Sequence, residues 1–567
     1  MAKAKTRKVG HATVLGKVGG SLVRAGLGAL AAAAVESWVK KSSGRKAADA
    51  LRAAVPGSRS AVEIVEGPKP QRFILLPSGR GLRAHAADTK KFMLGMATSG
   101  AAEAIRSVGG PPVKMKVVDS IHEDGAKLVE TTAEDLQKLR AAQPGLVVVP
   151  ERFFDLAVSI YRVEQAARTA AGTVGALRTL TVKVVSGATG KAVAGATVVA
   201  FTNFALREGA QGITSSKGTV SLKLPAAMKR LERLYVYPQE GMLWGALRAN
   251  VAIASGTLTL ELDAIDLGAE DSLRYFAGAG DLKNGSGVRV GVVDTGIALN
   301  HPDLQVLGGE CTVPGEDPKL FGPLGGDHGS HCAGIIAARG QAPSGVRGVA
   351  PAAGLYSLRV FPKATAANPH PRASNFAIAK AIDRAVALGC DILNLSLGGG
   401  DPDEATAAAI EDAYNAGVVV IAAAGNDDRQ PVSFPASYDL CVAVSAIGRK
   451  GLFPADSVYA GDVAAPFGTD KKNFIAAFSN VGADLDCTGP GVAVVSTIPD
   501  KTYTAMSGTS MATPAVTGLA ARILAKNSKV LGAARDSQRA AAIVKALLGS
   551  AKNLGFGPTF QGRGLPT

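Results

Sequence analysis

The sequence predicts an α/β protein whose C-terminal half is a doubly wound parallel sheet, preceded by a small α+β domain and an all-β sandwich. After residue 275, continuous apolar runs alternate with helical segments, which is typical of parallel strands covered on both faces. Residues 178–266 show short strand signals separated by Gly-rich or polar turns, and residues 68–160 mix strand and helix signals. The apolar runs of the C-terminal half are VRVGVVD, LYSLRVF, DILNLSL, VVVIAAAGN and CVAVSAI.

Length and composition restrict the class of protein. A chain of 567 residues has room for about three domains. Its content of 47% hydrophobic and 19% charged residues argues against wholesale disorder. No run of about 20 apolar residues occurs, so we expect a globular protein without a membrane span.

The positive charge is concentrated in residues 1–67, which we predict to be a disordered or targeting segment. The formal net charge of the whole chain is +15. Trp38 is the one aromatic residue in this segment and no nucleic-acid-binding motif occurs there, so we expect no nucleic-acid partner. The run AGLGALAAAAV at 25–35 is similar to the apolar part of a signal peptide. Arg24 and the long segment that precedes the run are not typical of a signal peptide.

The small α+β domain is predicted over residues 68–160. Thr131 and Glu134 have the spacing of a capping box that opens a helix, and Pro144-Gly145 ends it. The predicted strands are FILLP (73–77), VKMKVVDSI (113–121), AKLVET (126–131) and LVVVP (146–150).

The all-β sandwich is predicted over residues 178–266. Its strands are expected at TVKV, GATVVAF, GTVSLKL, RLYVYP and TLTLEL. The phrases TGKAVAGATV (189–198) and TSSKG (214–218) resemble the carboxypeptidase-regulatory-like or prealbumin-like sandwich.

Four polar residues stand at the ends of apolar segments in the C-terminal half. Asp294 ends the strand VRVGVVD, where a buried carboxylate needs a hydrogen-bond donor. His328 starts the helix of HGSHCAGIIAA, and its imidazole suits general-base work. Ser510 lies in GTSMATP, where a loop enters a helix whose first turn we expect to include Pro514. Asn426 ends VVVIAAAGN with an amide that can donate to an oxyanion.

Ser, His and Asp together supply a nucleophile, a base for its proton and a carboxylate that fixes the base. With DTGIALNHPDL, HGSHCAG, GVAPAAGLYSLRV, DILNLSLGG, AAAGN and GTSMATP in this order, residues 275–567 strongly resemble the subtilisin-like serine peptidases. The resemblance implies a serine endopeptidase with protein or peptide substrates. It assigns Asp294, His328 and Ser510 as the triad and Asn426 as the oxyanion donor. Cys332 matches the proteinase K branch. The implied substrate-cleft residues are Ser396, Leu397, Gly398, Ala423, Ala424 and Gly425.

The resemblance extends to processing. Residues 68–160 are similar to the family's inhibitory propeptide, which implies a zymogen whose own N-terminal domain is an intramolecular inhibitor. It also favours secretion. We expect the maturation cut between Asp266 and Gly287, because exposed linkers are cleaved easily. No cofactor is expected to be required. Asp303 matches a calcium-binding position of the family, but Ala342 stands where Asn is usual, which leaves structural calcium open.

Other interpretations explain fewer of the motifs. DTG also begins the aspartic-peptidase signature, but no second copy occurs. His328 and His331 have a spacing that can hold zinc, although no third ligand is evident. An α/β-hydrolase needs a histidine after its serine, and none follows Ser510. A catalytically silent binding or adhesion protein that uses the sandwich is the rival from another class. Cys332, Cys390 and Cys441 are expected to be buried core residues.

Overall fold

The computed structural model describes residues 69–77, 81–84, 87–98, 100–107, 110, 112–168, 176–239, 241–278, 280–340 and 345–567. The predicted basic segment 1–67 therefore lies outside the described residues, and so does Ala342. Among the described residues, no helix has both the length and the apolar character needed to cross a membrane.

The first described region carries an antiparallel sheet in the order β2-β3-β1-β4. Alternate residues of β1 pack into two different hydrophobic cores, because successive side chains of a strand point to opposite faces of the sheet. Leu75 packs with the helices of this region, whereas Ile74 and Leu76 pack against the C-terminal half. The elements are β1 (Gln71–Leu76), α1 (Ala87–Thr98), α2 (Ala101–Ser107), β2 (Met115–Ser120), β3 (Lys127–Thr131), α3 (Ala133–Ala142), β4 (Val147–Pro150), β5 (Phe153–Leu156) and β6 (Gln165–Ala166).

The start of α3 differs from the prediction by one residue. Thr132 is the N-cap, and its hydroxyl accepts a hydrogen bond from the Asp135 N–H at 3.2 Å. The capping box predicted at Thr131 and Glu134 is wrong because Thr131 still belongs to β3, where its hydroxyl donates to the Lys114 carbonyl at 2.8 Å.

The middle region, residues 176–268, forms what we call the two-sheet unit. One sheet has the order β10-β7-β13 and the other β12-β11-β8-β9-β6, and apolar side chains such as Val182 and Leu234 from the two sheets share one core. Its strands, besides β6, are β7 (Leu177–Ser186), β8 (Thr197–Asn203), β9 (Glu208–Ile213), β10 (Thr219–Pro225), β11 (Arg230–Tyr237), β12 (Ala246–Ala252) and β13 (Thr257–Leu262).

The C-terminal half is a doubly wound sheet in the order β15-β16-β14-β18-β20-β21-β22, with β23 also paired to β21. Neighbouring strands are parallel except for the antiparallel pair β21 and β22. The strands of this half are β14 (Arg289–Asp294), β15 (Val306–Cys311), β16 (Gly354–Arg359), β17 (Ala373–Ser374), β18 (Ile392–Leu395), β19 (Leu397–Gly398), β20 (Val419–Ala423), β21 (Cys441–Arg449), β22 (Asn473–Ile475), β23 (Cys487–Pro490), β24 (Val494–Ile498) and β25 (Thr502–Met506).

Helices cover this sheet on both faces, as the continuous apolar strands predict. Val292 of β14 packs in the core with α5 and α8, and the next residue, Val293, packs in the core with α6 and α7. The helices are α4 (Ser272–Ala277), α5 (His328–Ala337), α6 (Asn375–Ala387), α7 (Glu404–Asn415), α8 (Thr509–Ala525), α9 (Ser528–Leu531), α10 (Ser537–Gly549) and α11 (Pro558–Gln561), with a 3₁₀ helix at Val458–Asp462.

The segment 266–287, expected to be an exposed linker, is instead folded against the C-terminal half. It contains α4, whose Leu273 and Ala277 are buried in the main core. The carboxylate of Asp271 accepts hydrogen bonds from the N–H groups of Arg274, at 2.9 Å, and Val495, at 3.2 Å. The middle of the segment is therefore folded, whereas residues 268–270, 281–283, 286 and 287 are exposed, and the maturation cut between Asp266 and Gly287 stays a prediction.

Candidate active site

Asp294 and His328 form a buried pair. Asp294 is the last residue of β14 and His328 is the first residue of α5. The carboxyl end of the strand and the start of the helix therefore bring the two side chains together. The Nδ1 atom of His328 lies 2.8 Å and 2.9 Å from the two carboxylate oxygens. Gly296 lets the chain turn after β14: its φ is +99°, and a Cβ there would lie 1.9 Å from the Gly322 carbonyl oxygen.

The surroundings of His328 act on its pKa in opposite directions. Burial lowers the pKa of the imidazole, while the Asp294 carboxylate raises it, and the result lies well above the ordinary value. Because Asp294 binds Nδ1, the other ring nitrogen, Nε2, faces away from the carboxylate. The pair can therefore take up a proton at Nε2 and keep the resulting charge compensated.

Ser510 is the second residue of α8 and is fully buried. Its hydroxyl donates to the Ser396 carbonyl at 2.9 Å. The Sγ atom of Cys332 lies 3.9 Å from Nε2 of His328 and 3.5 Å from the Ser510 carbonyl oxygen. One thiol thus contacts both residues, so His328 and Ser510 are neighbours.

Pro514 is the sixth residue of α8, so the prediction that it falls in the first turn is wrong. A proline at this place has no N–H for the carbonyl four residues earlier, which is that of Ser510. The Ser510 carbonyl accepts other hydrogen bonds instead, from the Ser396 hydroxyl at 2.9 Å and from Cys332. The proline is tolerated because the freed acceptor is satisfied.

Asn426 lies beside the start of α8. Its Oδ1 atom accepts from the backbone N–H and the hydroxyl of Thr509, both at 2.9 Å. This fixes the amide plane and leaves Nδ2 buried, with no hydrogen-bond partner among the described residues. A buried donor without a partner costs folding free energy, and a negatively charged oxygen placed before it would recover that cost.

Strand β5 passes through this site as an extended peptide would. It pairs antiparallel with β17 on one side and with β19 on the other. Directly after it, the Ala157 N–H donates to the Ser396 carbonyl at 3.3 Å, and the Ala157 carbonyl accepts from the Ser510 N–H at 3.1 Å. The chain continues with the Ser159 N–H, which donates to the Ser507 carbonyl at 2.8 Å. The bond between Ala157 and Val158 therefore lies next to Ser510.

Glycine makes this close approach feasible. A Cβ on Gly508 would lie 2.3 Å from the Ala157 carbonyl oxygen. A Cβ on Gly400 would lie 2.4 Å from the ring of Phe154, which is fully buried.

The sequence-predicted cleft residues fall into two groups. Ser396, Leu397 and Gly398 contact the residues from Asp155 to Ala157 through backbone pairing. Ala423, Ala424 and Gly425 are buried at the end of β20, where the Gly425 N–H donates to the Thr509 hydroxyl at 3.2 Å. Ala373, Ser374 and Gly400 also contact the segment around Phe154, and no catalytic side chain marks them in the sequence.

His331 does not share a metal site with His328, and among the described residues the one group with the spacing of metal ligands is Asp294, His328 and Cys332. His331 donates Nε2–H to the Thr504 carbonyl at 3.1 Å, and burial lowers its pKa to about 3, so it is a neutral core residue. All five cysteines are buried free thiols, as predicted for Cys332, Cys390 and Cys441. Burial raises the pKa of the Cys332 thiol, which keeps it protonated beside His328.

Asp303 is the possible calcium ligand, and structural calcium at this residue stays a prediction. It is fully buried, and its Oδ2 atom accepts from the Tyr503 hydroxyl at 2.7 Å. In the described part of the chain, no three-ligand cluster of carboxylate, histidine or cysteine groups includes it. Calcium prefers six or more oxygen ligands.

The fold and this geometry define a class, the serine hydrolases that bind an extended peptide. A model of the subtilase family matches residues 285–561. Subtilisin DY of Bacillus licheniformis is 39% identical over 246 residues, which are 43% of this chain and 78% of the relative. Subtilisin BL of Lederbergia lenta is 40% identical over 243 residues, with shares of 43% and 78%. Subtilisin E of Bacillus subtilis (strain 168) is 38% identical over 247 residues, with shares of 43% and 57%. The chain belongs to the subtilase family of serine peptidases, and it is a serine endopeptidase.

Proposed function

We propose that Ser510 is the nucleophile, His328 the general base and acid, and Asp294 the group that orients and stabilises the imidazole. Rotation of the Ser510 side chain carries its hydroxyl from the Ser396 carbonyl to Nε2 of His328. The oxygen attacks the scissile carbonyl while His328 takes the proton. His328 then gives this proton to the leaving nitrogen, and water releases the acyl group by the same steps in reverse.

Asn426 and the Ser510 N–H form the oxyanion hole in this proposal. The Ser510 N–H already donates to the carbonyl of Ala157 at 3.1 Å. The unpartnered Nδ2 of Asn426 supplies the second donor, and donors fixed in advance stabilise the charge that develops on the oxygen. Nucleophile, base and donors all come from this chain, so the reaction as proposed requires no cofactor.

We further propose that the protein is made as a zymogen and that residues 69–157 are its intramolecular inhibitor. The observation that carries this is the path of β5, which fills the substrate cleft with the backbone pairing of a bound peptide. Autocatalytic cleavage then falls at Ala157–Val158, the bond whose carbonyl faces the Ser510 N–H. The C–N bond breaks, and the Val158 nitrogen leaves as an amine. Secretion remains a prediction from the family resemblance.

The test is expression of the full chain and of Ser510→Ala, followed by N-terminal sequencing of the products. We expect the wild-type protein to yield a fragment that begins at Val158 and that reacts with a fluorophosphonate probe. The Ser510→Ala variant should stay intact and unlabelled, with an unchanged circular dichroism spectrum.

A second variant separates the cut site from the catalytic assignment. Ala157 is buried against Ser510, so Ala157→Asp places an uncompensated charge there and should block the cut while Ser510 stays in place. A wild-type fragment that begins after Asp266 would refute the cut site, and fluorophosphonate labelling of Ser510→Ala would refute the nucleophile.

A further inference from the structure

A cavity of about 720 Å³ lies between the C-terminal half and the two-sheet unit, directly beside His328. The residues that follow the proposed scissile bond, from Val158 to Arg162, form part of its lining. It is also lined by the end of β9, including Ile213, and by Tyr237 at the end of β11. In a peptidase, this is the place for the substrate residues after the cleaved bond.

The two-sheet unit is fixed to the C-terminal half by backbone pairing and a shared core. The Leu247 N–H donates to the Asp456 carbonyl at 2.7 Å, and the Val458 N–H donates to the Gly245 carbonyl at 3.1 Å. Phe201 and Tyr235 are fully buried in the same core as the helices beside the active site. The link through α4 is anchored by Leu273 and Ala277, which are buried in the same core. A cut at Ala157–Val158 therefore leaves this unit in its position.

Residues 158–161 of the chain occupy the part of the cleft through which a substrate would pass after the scissile bond. Residues 158–160 are held by one described hydrogen bond, that of Ser159 to Ser507. Tyr161 is held more firmly, because its N–H donates to the Tyr237 hydroxyl at 3.2 Å and its ring lies 5.1 Å from that of Phe204 and 4.7 Å from the guanidinium of Arg207. After the cut, a substrate can displace residues 158–160, while Tyr161 keeps the retained segment attached beyond them.

Ile213 is the most conspicuous side chain on the wall that a substrate would meet. It is a large apolar residue with 66% of its surface exposed, at the end of β9 and on the lining of the cavity. Met506 adds further apolar surface to the same lining, to which the buried residues Leu243 and Val458 also belong. Apolar side chains of a peptide would gain free energy by covering these groups.

We propose that the two-sheet unit is retained in the mature peptidase and forms a wall of the substrate cleft that selects peptides with apolar residues after the scissile bond. Ile213 is the specificity-determining residue of this wall. The proposal rests on the proposed function, because it takes Ala157–Val158 as the cleaved bond. It adds that specificity comes from a part of the chain outside residues 285–561, which match the family model.

Two substrates with identical residues before the scissile bond test the proposal on the mature enzyme. One is a p-nitroanilide, which has no amino acid after the cleaved bond. The other is a fluorogenic peptide that continues with Val-Ser-Ile, the residues at 158–160. We expect Ile213→Asp to lower kcat/KM for the longer peptide by about tenfold and to leave kcat/KM for the p-nitroanilide unchanged.

Leu177→Asp is the matched control. Leu177 is also a large apolar residue on this unit, with 51% of its surface exposed, but it lies on β7 and does not line the cavity. It should change neither rate. Equal effects of Ile213→Asp on both substrates, or no effect on the longer peptide, would overturn the proposal, as would a mature N-terminus beyond Asp266. Failure of the catalytic assignment has a different signature, because the p-nitroanilide would then still be hydrolysed by Ser510→Ala.

Discussion

Two regions precede the catalytic half, and both bury apolar side chains against it. The region that ends at Ala157 packs Ile74, Leu76 and Phe154 into the same core as α6 and α7. The two-sheet unit packs Phe201 and Tyr235 into the core with α5 and α8. The contacts are alike in kind, but the proposed cut lies between the two regions. On the proposed cut, chain connectivity, more than the type of interface, would decide which region is lost and which stays.

The largest expected effect concerns the chemistry that separates the two regions. Asp294→Asn keeps a side chain of the same size but removes the charge that holds His328 in the required tautomer. We expect the rate of self-cleavage, followed by gel electrophoresis, to fall about 10⁴-fold. Residues 69–157 should then stay attached. Rapid processing of this variant would mean that another peptidase makes the cut.

Asn426→Leu should slow both the self-cleavage and the turnover of substrate, because it removes one oxyanion donor. The expected decrease in kcat is about 10²- to 10³-fold, the magnitude known for a subtilisin. KM for a p-nitroanilide should change little, since the lost interaction forms in the transition state. An unchanged kcat would contradict the role of Asn426 in releasing the first region.

The pH dependence of self-cleavage follows from His328. Its pKa is raised in the uncut protein, and only the neutral imidazole can accept the serine proton. The rate should therefore fall about tenfold per pH unit on the acidic side, beginning above the ordinary histidine pKa of about 6.5. Cleavage rates measured from pH 5 to 9 check this, and an acidic limb that starts at pH 6 or below would contradict it.

The smallest expected effect distinguishes the two interfaces directly. Lys380 forms an ion pair with Asp119 of the first region at 2.8 Å. Lys380→Ala should weaken the retention of residues 69–157 after the cut by about 1 kcal/mol, and so shorten the delay between cleavage and p-nitroanilide activity about fivefold. Lys545→Ala, a matched loss of charge on the exposed side of α10, should leave the delay unchanged. Equal delays in the wild-type protein and both variants would show that the ion pair between Lys380 and Asp119 does not hold residues 69–157 in place.

The parts of the structure that were predictable have local sequence signals. The strand that ends at Asp294 contains the buried run from Val290 to Val293, which needs helices on both faces. His328 starts a helix within the motif HGSHCAG, which is a local signal. The proposed cut site has no such signal. Leu156 pairs with Leu397, which is far away in sequence, and a pairing of this kind cannot be inferred from the composition of either segment.

Boundary errors have the same origin. Thr131 and Thr132 are chemically identical candidates for a helix cap, and the hydrogen bond from Thr131 to Lys114 decides between them. Segment 266–287 has the polar composition of a linker, yet Asp271 accepts a hydrogen bond from Val495 across the fold. In both cases a tertiary contact outweighs the local preference.

Pro514 has a consequence for how the nucleophile moves. Because α8 lacks one of its own hydrogen bonds, Ser510 is joined to Ser396 through its carbonyl as well as its hydroxyl. Ser396 in turn accepts from the backbone of the bound peptide. A shift of the segment that ends at Ala157 would therefore act on Ser510 through Ser396 as well as through the direct hydrogen bond from the Ser510 N–H to the Ala157 carbonyl.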